Sequence, residues 1–148
     1  METLAANGKR KGWIQGYEDL EVFRRSMKLV KPVNTLLLRF PSYERHSLCD
    51  QMRRASRSIP SNIAEGYAKK TYIKNFKSSL VDAMGSATEM KVHFRIALDL
   101  DYVTHEEYES FVAEYDIIGR QLNRLIASWR TIEPSRPSSN LEPPGGRA

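Results

Sequence analysis

Residues 73–97 read IKNFKSSLVDAMGSATEMKVHFRIA, and their spacing decides the fold. Ile73, Phe76, Leu80, Ala83, Ala87, Met90, Phe94 and Ala97 recur at alternating intervals of three and four. An average of 3.5 residues keeps one apolar stripe turned toward a neighbouring helix. The same spacing returns in Tyr108, Phe111, Tyr115, Ile118, Leu122, Leu125, Trp129 and Ile132, after a capping box formed by Thr104 and Glu107. Asp99 to Tyr102 is too short for anything but a tight antiparallel reversal. Two helices of roughly 28 residues, each about 40 Å long, are expected to pack as a left-handed antiparallel pair.

Upstream, a helix is expected to begin near Asp19, a good N-cap residue, with Leu20, Phe23, Met27, Val30 and Leu37 on its buried face and Val33 widening it. Pro32 should kink it, and Arg39-Phe40-Pro41-Ser42 should end it. A second helix is expected from about Tyr43 to Tyr67, burying Leu48, Met52, Ala55, Ile59 and Ile63. It should bend or restart at Pro60, with Ser61 and Asn62 satisfying freed backbone groups, Asn62 and Glu65 at capping-box spacing, and Gly66 turning the chain. The expected fold is all-α: an antiparallel up-down-up-down four-helix bundle over residues 18–132. A flexible arm (1–17) precedes it and a Pro/Ser/Gly-rich disordered tail (133–148) follows.

A chain of 148 residues can bury a core without staples. Its one cysteine, Cys49, cannot form an internal disulfide, which suits a reducing cytoplasm. A helical position for Cys49 favours inert packing over a reactive thiol. No apolar run approaches the ~20 residues of a membrane span, and no signal peptide is expected after the basic run Lys9-Arg10-Lys11.

The net charge of +5 is unevenly placed. Residues 19–70 hold eleven Lys/Arg against five Asp/Glu, whereas 101–116 hold six acids and no Lys or Arg. The acidic start and basic end of the last helix suit its dipole. The basic excess is open to two readings, a solvated surface or a phosphate-binding one. On the second, Arg53, Arg54, Arg57, Lys69, Lys70 and Lys74 are the candidate nucleic-acid contacts, and Arg24, Lys28 and Lys31 also recur at helical spacing.

A second, weaker stripe in the third helix runs through Val81, Gly85, Thr88, Val92 and Ile96, with Met84 beside it. It marks either a self-association face, with Val81, Met84, Val92 and Ile96 as candidate interface residues, or a wider intramolecular core. Small residues at Ser78, Ser79, Ala83, Ser86 and Ala87 would admit a close-approaching helix.

Recognisable catalytic and metal motifs are missing from the sequence. His46, His93 and His105 lie on separate stretches, and Glu89 and His93 are four apart rather than the three of di-iron bundles. There is no phosphate loop, nucleophile elbow or HExxH. Glu65 reads as a capping residue rather than a general base. Neither enzymatic activity nor a cofactor is expected.

YEDLEVFRRSMKLV, the Phe40-Pro41 break, QMRRASRSIPSNIAEGYAKK and ALDLDYVTHEEYESF together resemble the four-helix-bundle proteins encoded in 23S ribosomal-RNA intervening sequences. The likeness covers about residues 17–131. Its most specific mark is SIPSNIAEG, with Ser58, Pro60, Ser61, Asn62, Glu65 and Gly66 as signature positions. Arg57, just before it, departs from the apolar or small residue many relatives carry. The resemblance implies a ring-shaped homopentamer. It also implies kinship with the accessory variability determinant of diversity-generating retroelements, a basic bundle that associates with reverse transcriptase and nucleic acid. The leading expectation is thus a homo-oligomeric module binding RNA or DNA through helices one and two. The competing one is a protein-interaction scaffold with no nucleic-acid role.

Overall fold

The computed structural model describes residues 14–129. Lys9-Arg10-Lys11, most of the expected arm, Ile132 and the expected disordered tail lie outside the described residues. Four helices follow in order: α1 (Glu21–Leu37), α2 (Leu48–Ala68), α3 (Ile73–Asp99) and α4 (His105–Trp129). Short 3-10 turns at Tyr17–Asp19 and Ser42–Glu44 precede α1 and α2, and the described residues include no strand.

Each helix packs on its chain neighbour and α4 closes back onto α1, while the diagonal α2–α4 pair meets only through core side chains such as Tyr67 and Trp129. Cross-helix partners run in opposite senses along every seam. Ser58 meets Ser86 while Gly66 faces Ser79, Phe94 stacks on Phe111 while Phe76 packs on Trp129, and Arg25 reaches Glu114 while Arg39 reaches Glu107. This is the up-down-up-down bundle.

Seven of the eight expected α3 stripe residues, Phe76, Leu80, Ala83, Ala87, Met90, Phe94 and Ala97, are buried, and Ile73 at the start of the helix is half-buried. In α4 only Tyr115, Ile118 and Leu122 are fully buried, and Tyr108, Phe111, Leu125 and Trp129 pack half-covered against the core. The reversal between these helices is a Schellman turn. Tyr102 N donates to Ala97 O (2.8 Å), Asp101 N donates to Leu98 O (3.0 Å), and Asp101 takes the left-handed position with φ 60°. The expected box at the start of α4 is closed both ways: Thr104 N donates to Glu107 Oε1 (3.0 Å) and Glu107 N to Thr104 Oγ1 (3.1 Å).

Four expectations for the first half need correction. Asp19 does not cap α1. Its Oδ2 accepts from Gln15 N and Gly16 N and closes the Tyr17–Asp19 turn, so α1 starts at Glu21. Of the expected α1 face, Leu20, Val33 and Leu37 are buried, but Met27 is 47 % exposed and Phe23 and Val30 are half-buried; Val22, Ser26, Leu29 and Leu36 complete the core face instead. The polar Ser26, whose hydroxyl donates to Phe23 O, disguised that face. Helix α2 begins at Leu48 instead of Tyr43, because Ser42–Glu44 form a separate turn tied by Tyr43 OH to Tyr102 OH (2.9 Å).

The fourth correction concerns Pro60 and Gly66. Helix α2 neither restarts nor is capped there; it is continuous from Leu48 to Ala68, and α1 likewise runs through Pro32. Pro60 removes the donor that Ser56 O would accept from, and Ser61 Oγ adds a bond one residue on, to Arg57 O (2.9 Å). Gly66 is buried inside the helix instead of turning the chain. A Cβ there would stand 2.8 Å from Ser79 Cβ and 3.3 Å from Phe76 O. Its role is close approach of α2 and α3 at Ser79, and Ser86 meets Ser58 on the same seam. Ala83 and Ala87 are buried in the chain's own core, and Ser78 alone among the small residues singled out in the sequence is exposed.

Candidate nucleic-acid interface

The six basic residues singled out from the sequence do not form one cluster. Arg53 and Arg57 stand one turn apart on the flank of α2 that faces α1. Arg54 points outward, with its side chain 81 % exposed and bonded to Asp50 at 3.2 Å. Lys69, Lys70 and Lys74 sit past the other end of α2, about 24 Å from Arg53 at 1.5 Å per residue. Lys69 is paired with Glu65 (2.9 Å), and Lys70 Nζ lies 4.1 Å over the Tyr67 ring, leaving Lys74 exposed at the start of α3.

Five cations fall on two different faces. Arg53 and Arg57 are on the α2 flank toward α1, whereas Arg24, Lys28 and Lys31, all exposed, line clefts with Glu21, Glu114 and Glu107 on the α4 side of α1. Among the described residues none of these five cations has a carboxylate within ion-pair distance. Arg53 instead donates to Arg45 O at 3.1 Å. By contrast, Arg25 is held by Glu114 (2.9 Å) and Glu21 (3.6 Å), Arg39 by Glu107, and Lys91 by Asp116 (2.8 Å). Apart from the Arg25–Glu21 pair within α1, these bridges span the α1–α4 and α3–α4 seams. Helical recurrence in the sequence marked the α1 cations but could not reveal which cations would find carboxylates.

Between α1 and α2 lies a groove of about 380 Å³. Phe23, Met27 and Val30 form one wall, Pro60 and Ala64 the other, with Arg57, Ser61 and Tyr17 also lining it. No carboxylate among the described residues lines it. The apolar residues expected in the α1 core, Phe23, Met27 and Val30, are the ones that build this groove.

The signature residues are largely structural. Ser58 Oγ lies 2.9 Å from Ala55 O and 2.6 Å from Ser86 Oγ, so it donates to the carbonyl and accepts from Ser86 across the α2–α3 seam. Pro60 is buried, Asn62 is half-buried within α2, and Glu65 holds Lys69. Deeper in, burial pushes the Tyr115 phenol up to about 12, beside the buried Ser56. Cys49 is also buried, and desolvation raises its thiol pKa although Arg53 pulls the other way.

On the outer face of α3, Val81, Val92 and Ile96 are 56 %, 54 % and 40 % exposed, so no intramolecular core covers them. Met84 differs, packing half-buried against the core. Gly85 lies in the exposed stripe with nothing within 4 Å of where a Cβ would stand. His93 is buried, with Nε2 3.0 Å from Glu89 Oε1, and no group of three or more His, Cys, Asp or Glu among the described residues is placed to hold a metal. No helix among them is long and apolar enough to cross a membrane.

The family model for 23S rRNA-intervening sequence proteins matches residues 18–124, from the turn before α1 to the last turns of α4. The chain belongs to this family. A crystal structure from the S23 ribosomal protein family, a protein of unknown function from Bacteroides thetaiotaomicron, has the same fold with a TM-score of 0.65. It is 22 % identical, over 72 % of this chain and 95 % of that one. Comparison with curated proteins finds no match. The family assignment covers all four helices, including the Ser58–Gly66 segment that first suggested it.

Proposed function

We propose that this intervening-sequence protein is a non-enzymatic, self-assembling helical module that takes a nucleic-acid phosphate backbone along α1 and α2. The observation that carries this reading is the set of Arg24, Lys28 and Lys31 on α1 and Arg53 and Arg57 on α2, exposed or half-buried and without carboxylate partners within ion-pair distance among the described residues. Cations not held by a carboxylate are the ones free to meet phosphates. Fluorescence anisotropy of a labelled single-stranded RNA across a salt series tests it. Six phosphate contacts, these five plus one lysine, would give a log–log slope of roughly −4. Binding indifferent to salt, or none, overturns the reading.

Self-assembly is supported by Val81, Val92 and Ile96 on one exposed helix face around Gly85. A ring of five is what the family resemblance implies. Light scattering at micromolar concentration should report an assembly, and Val92→Lys should return it to monomers with helicity unchanged, since Val92 has no intramolecular cover to lose. A monomeric wild-type protein refutes assembly. The same apolar face also supports a second reading, a scaffold for a protein partner such as a reverse transcriptase. Recovery of a stoichiometric partner from nuclease-treated lysate, with no RNA binding by the purified protein, would favour it.

A further inference from the structure

Neither phosphate binding nor self-assembly uses the apolar groove between α1 and α2. We propose that this groove is the seat of the chain's own N-terminal segment, with the Trp13 indole laid between the two helices as its anchor. The inference depends on neither of those readings.

The chain enters the bundle at this groove. Residues 1–13 lie outside the described residues, and the described chain begins at Ile14, just before Tyr17. Tyr17 lines the groove, its ring 4.9 Å from that of Phe23 at 73°, and the Tyr17–Asp19 turn packs against both α1 and α2. Asp19 Oδ2 accepts from Gln15 N (2.8 Å) and Gly16 N (3.1 Å), which ties the entering chain to that turn. Trp13 stands four residues before Tyr17, so its backbone reaches at most about 13 Å from it at ~3.3 Å per residue. The α1 wall from Phe23 to Val30 is about 10 Å long at ~1.5 Å per residue, which falls within that reach. A side chain on so short a tether competes with free molecules at an effective concentration on the order of millimolar.

The lining picks Trp13 out of the segment. With no carboxylate among the described residues there, the groove offers nothing to Lys9, Arg10 or Lys11, and Leu4 lies much further from the entry. Arg57 is the one charged residue lining it, and a guanidinium stacks on an aromatic face. Ser61 Oγ donates its hydrogen to Arg57 O (2.9 Å) and keeps lone pairs for an indole N–H, which is a donor only. The volume of about 380 Å³ holds one indole with room to spare. Exposed apolar surface is already in place: Met27 is 47 % exposed, and no element among the described residues covers the groove. An aromatic side chain seated there removes about 150–250 Å² of its own surface from water.

Acrylamide quenching of Trp13 fluorescence in the full chain tests this. Trp129→Phe leaves Trp13 as the one tryptophan. Should that variant lose helicity by circular dichroism, the difference between wild type and Trp13→Ser isolates the same signal. In the native protein Trp13 should emit at shorter wavelength than in urea and be quenched several-fold less. Met27→Asp puts a short charged side chain in the seat and should return quenching to its value in urea with helicity unchanged. Ala64→Asp does the same from the α2 wall and serves if Met27→Asp folds poorly. Protection that is constant from nanomolar to micromolar protein and abolished by the groove variant supports the inference. Trp13 quenched as freely in the native protein as in urea overturns it and leaves the groove to an outside partner. Protection that survives the groove variant also overturns it, because the indole is then covered elsewhere. Protection lost on dilution makes the occupant the N-terminal segment of another copy and overturns the same-chain assignment.

Discussion

Gly66→Ala separates a packing role from a conformational one, because the two predict opposite signs. In the interior of an ordinary helix, replacing glycine with alanine stabilises by about 1 kcal/mol. Here the new Cβ would stand 2.8 Å from Ser79 Cβ, an atom fixed to the α3 backbone and unable to swing away, and 3.3 Å from the Phe76 carbonyl. Relieving that overlap requires α2 and α3 to separate along their tightest seam, and overpacking of this kind costs about 1–3 kcal/mol, occasionally more. Because nothing at this site gives except the helices, the upper part of that range applies. The net expectation is a loss of about 1–2 kcal/mol, or roughly 4–8 °C in melting temperature for a domain of this size. Urea melts followed at 222 nm measure it, at fixed protein concentration because assembly would make stability concentration-dependent. Ser79→Gly removes the opposing Cβ, so a double-mutant cycle should show positive coupling: the combined variant loses less than the sum of the two. A Gly66→Ala protein as stable as wild type, or more so, with zero coupling to Ser79→Gly, would refute the close-approach account.

Two further outcomes follow from the caps and the core. The Thr104 backbone hydrogen bond first, and the Arg39 guanidinium after it, hold the Glu107 carboxyl below its ordinary value of 4.5 against the opposing effect of burial. A depressed carboxylate contributes stability above its unfolded pKa and loses it as pH falls through the folded value. Acid melts should therefore show the gap between wild type and Glu107→Gln, about 0.5 kcal/mol at pH 7, shrinking as pH falls below 4.5; because glutamine keeps the box's acceptor, a gap that is constant with pH would argue against the charge contribution. Cys49, buried and with its thiol pKa raised, should react with iodoacetamide at pH 7.5 only after urea unfolding, and rapid labelling of the native protein would contradict its burial.

The sequence alone determined the parts governed by local periodicity and local hydrogen bonding. The 3.5-residue stripe of α3, the Thr104–Glu107 box, the reversal at Asp99–Tyr102 and the buried face of α2 all stand as read, because each is specified by residues within a few turns of one another. Family membership was equally legible from Ser58–Gly66. Tertiary structure decided what depends on the neighbour. A glycine near a helix end reads as a turn until another backbone is found against it, and Pro60 reads as a break until one sees the helix continue through it. Which of two apolar stripes on α1 faces inward depended on where α2 and α4 lie; with a serine in the inward one, the outer stripe looked like the core. The same holds for charge. Among the eleven cations in residues 19–70, the i,i+4 partners of Arg54 and Lys69 are legible in the sequence, but only the positions of Glu114 and Glu107 show that Arg25 and Arg39 are bridged across helices while five others remain without carboxylate partners among the described residues. Pairing across a seam is a property of distances between helices, and no one-dimensional spacing encodes them.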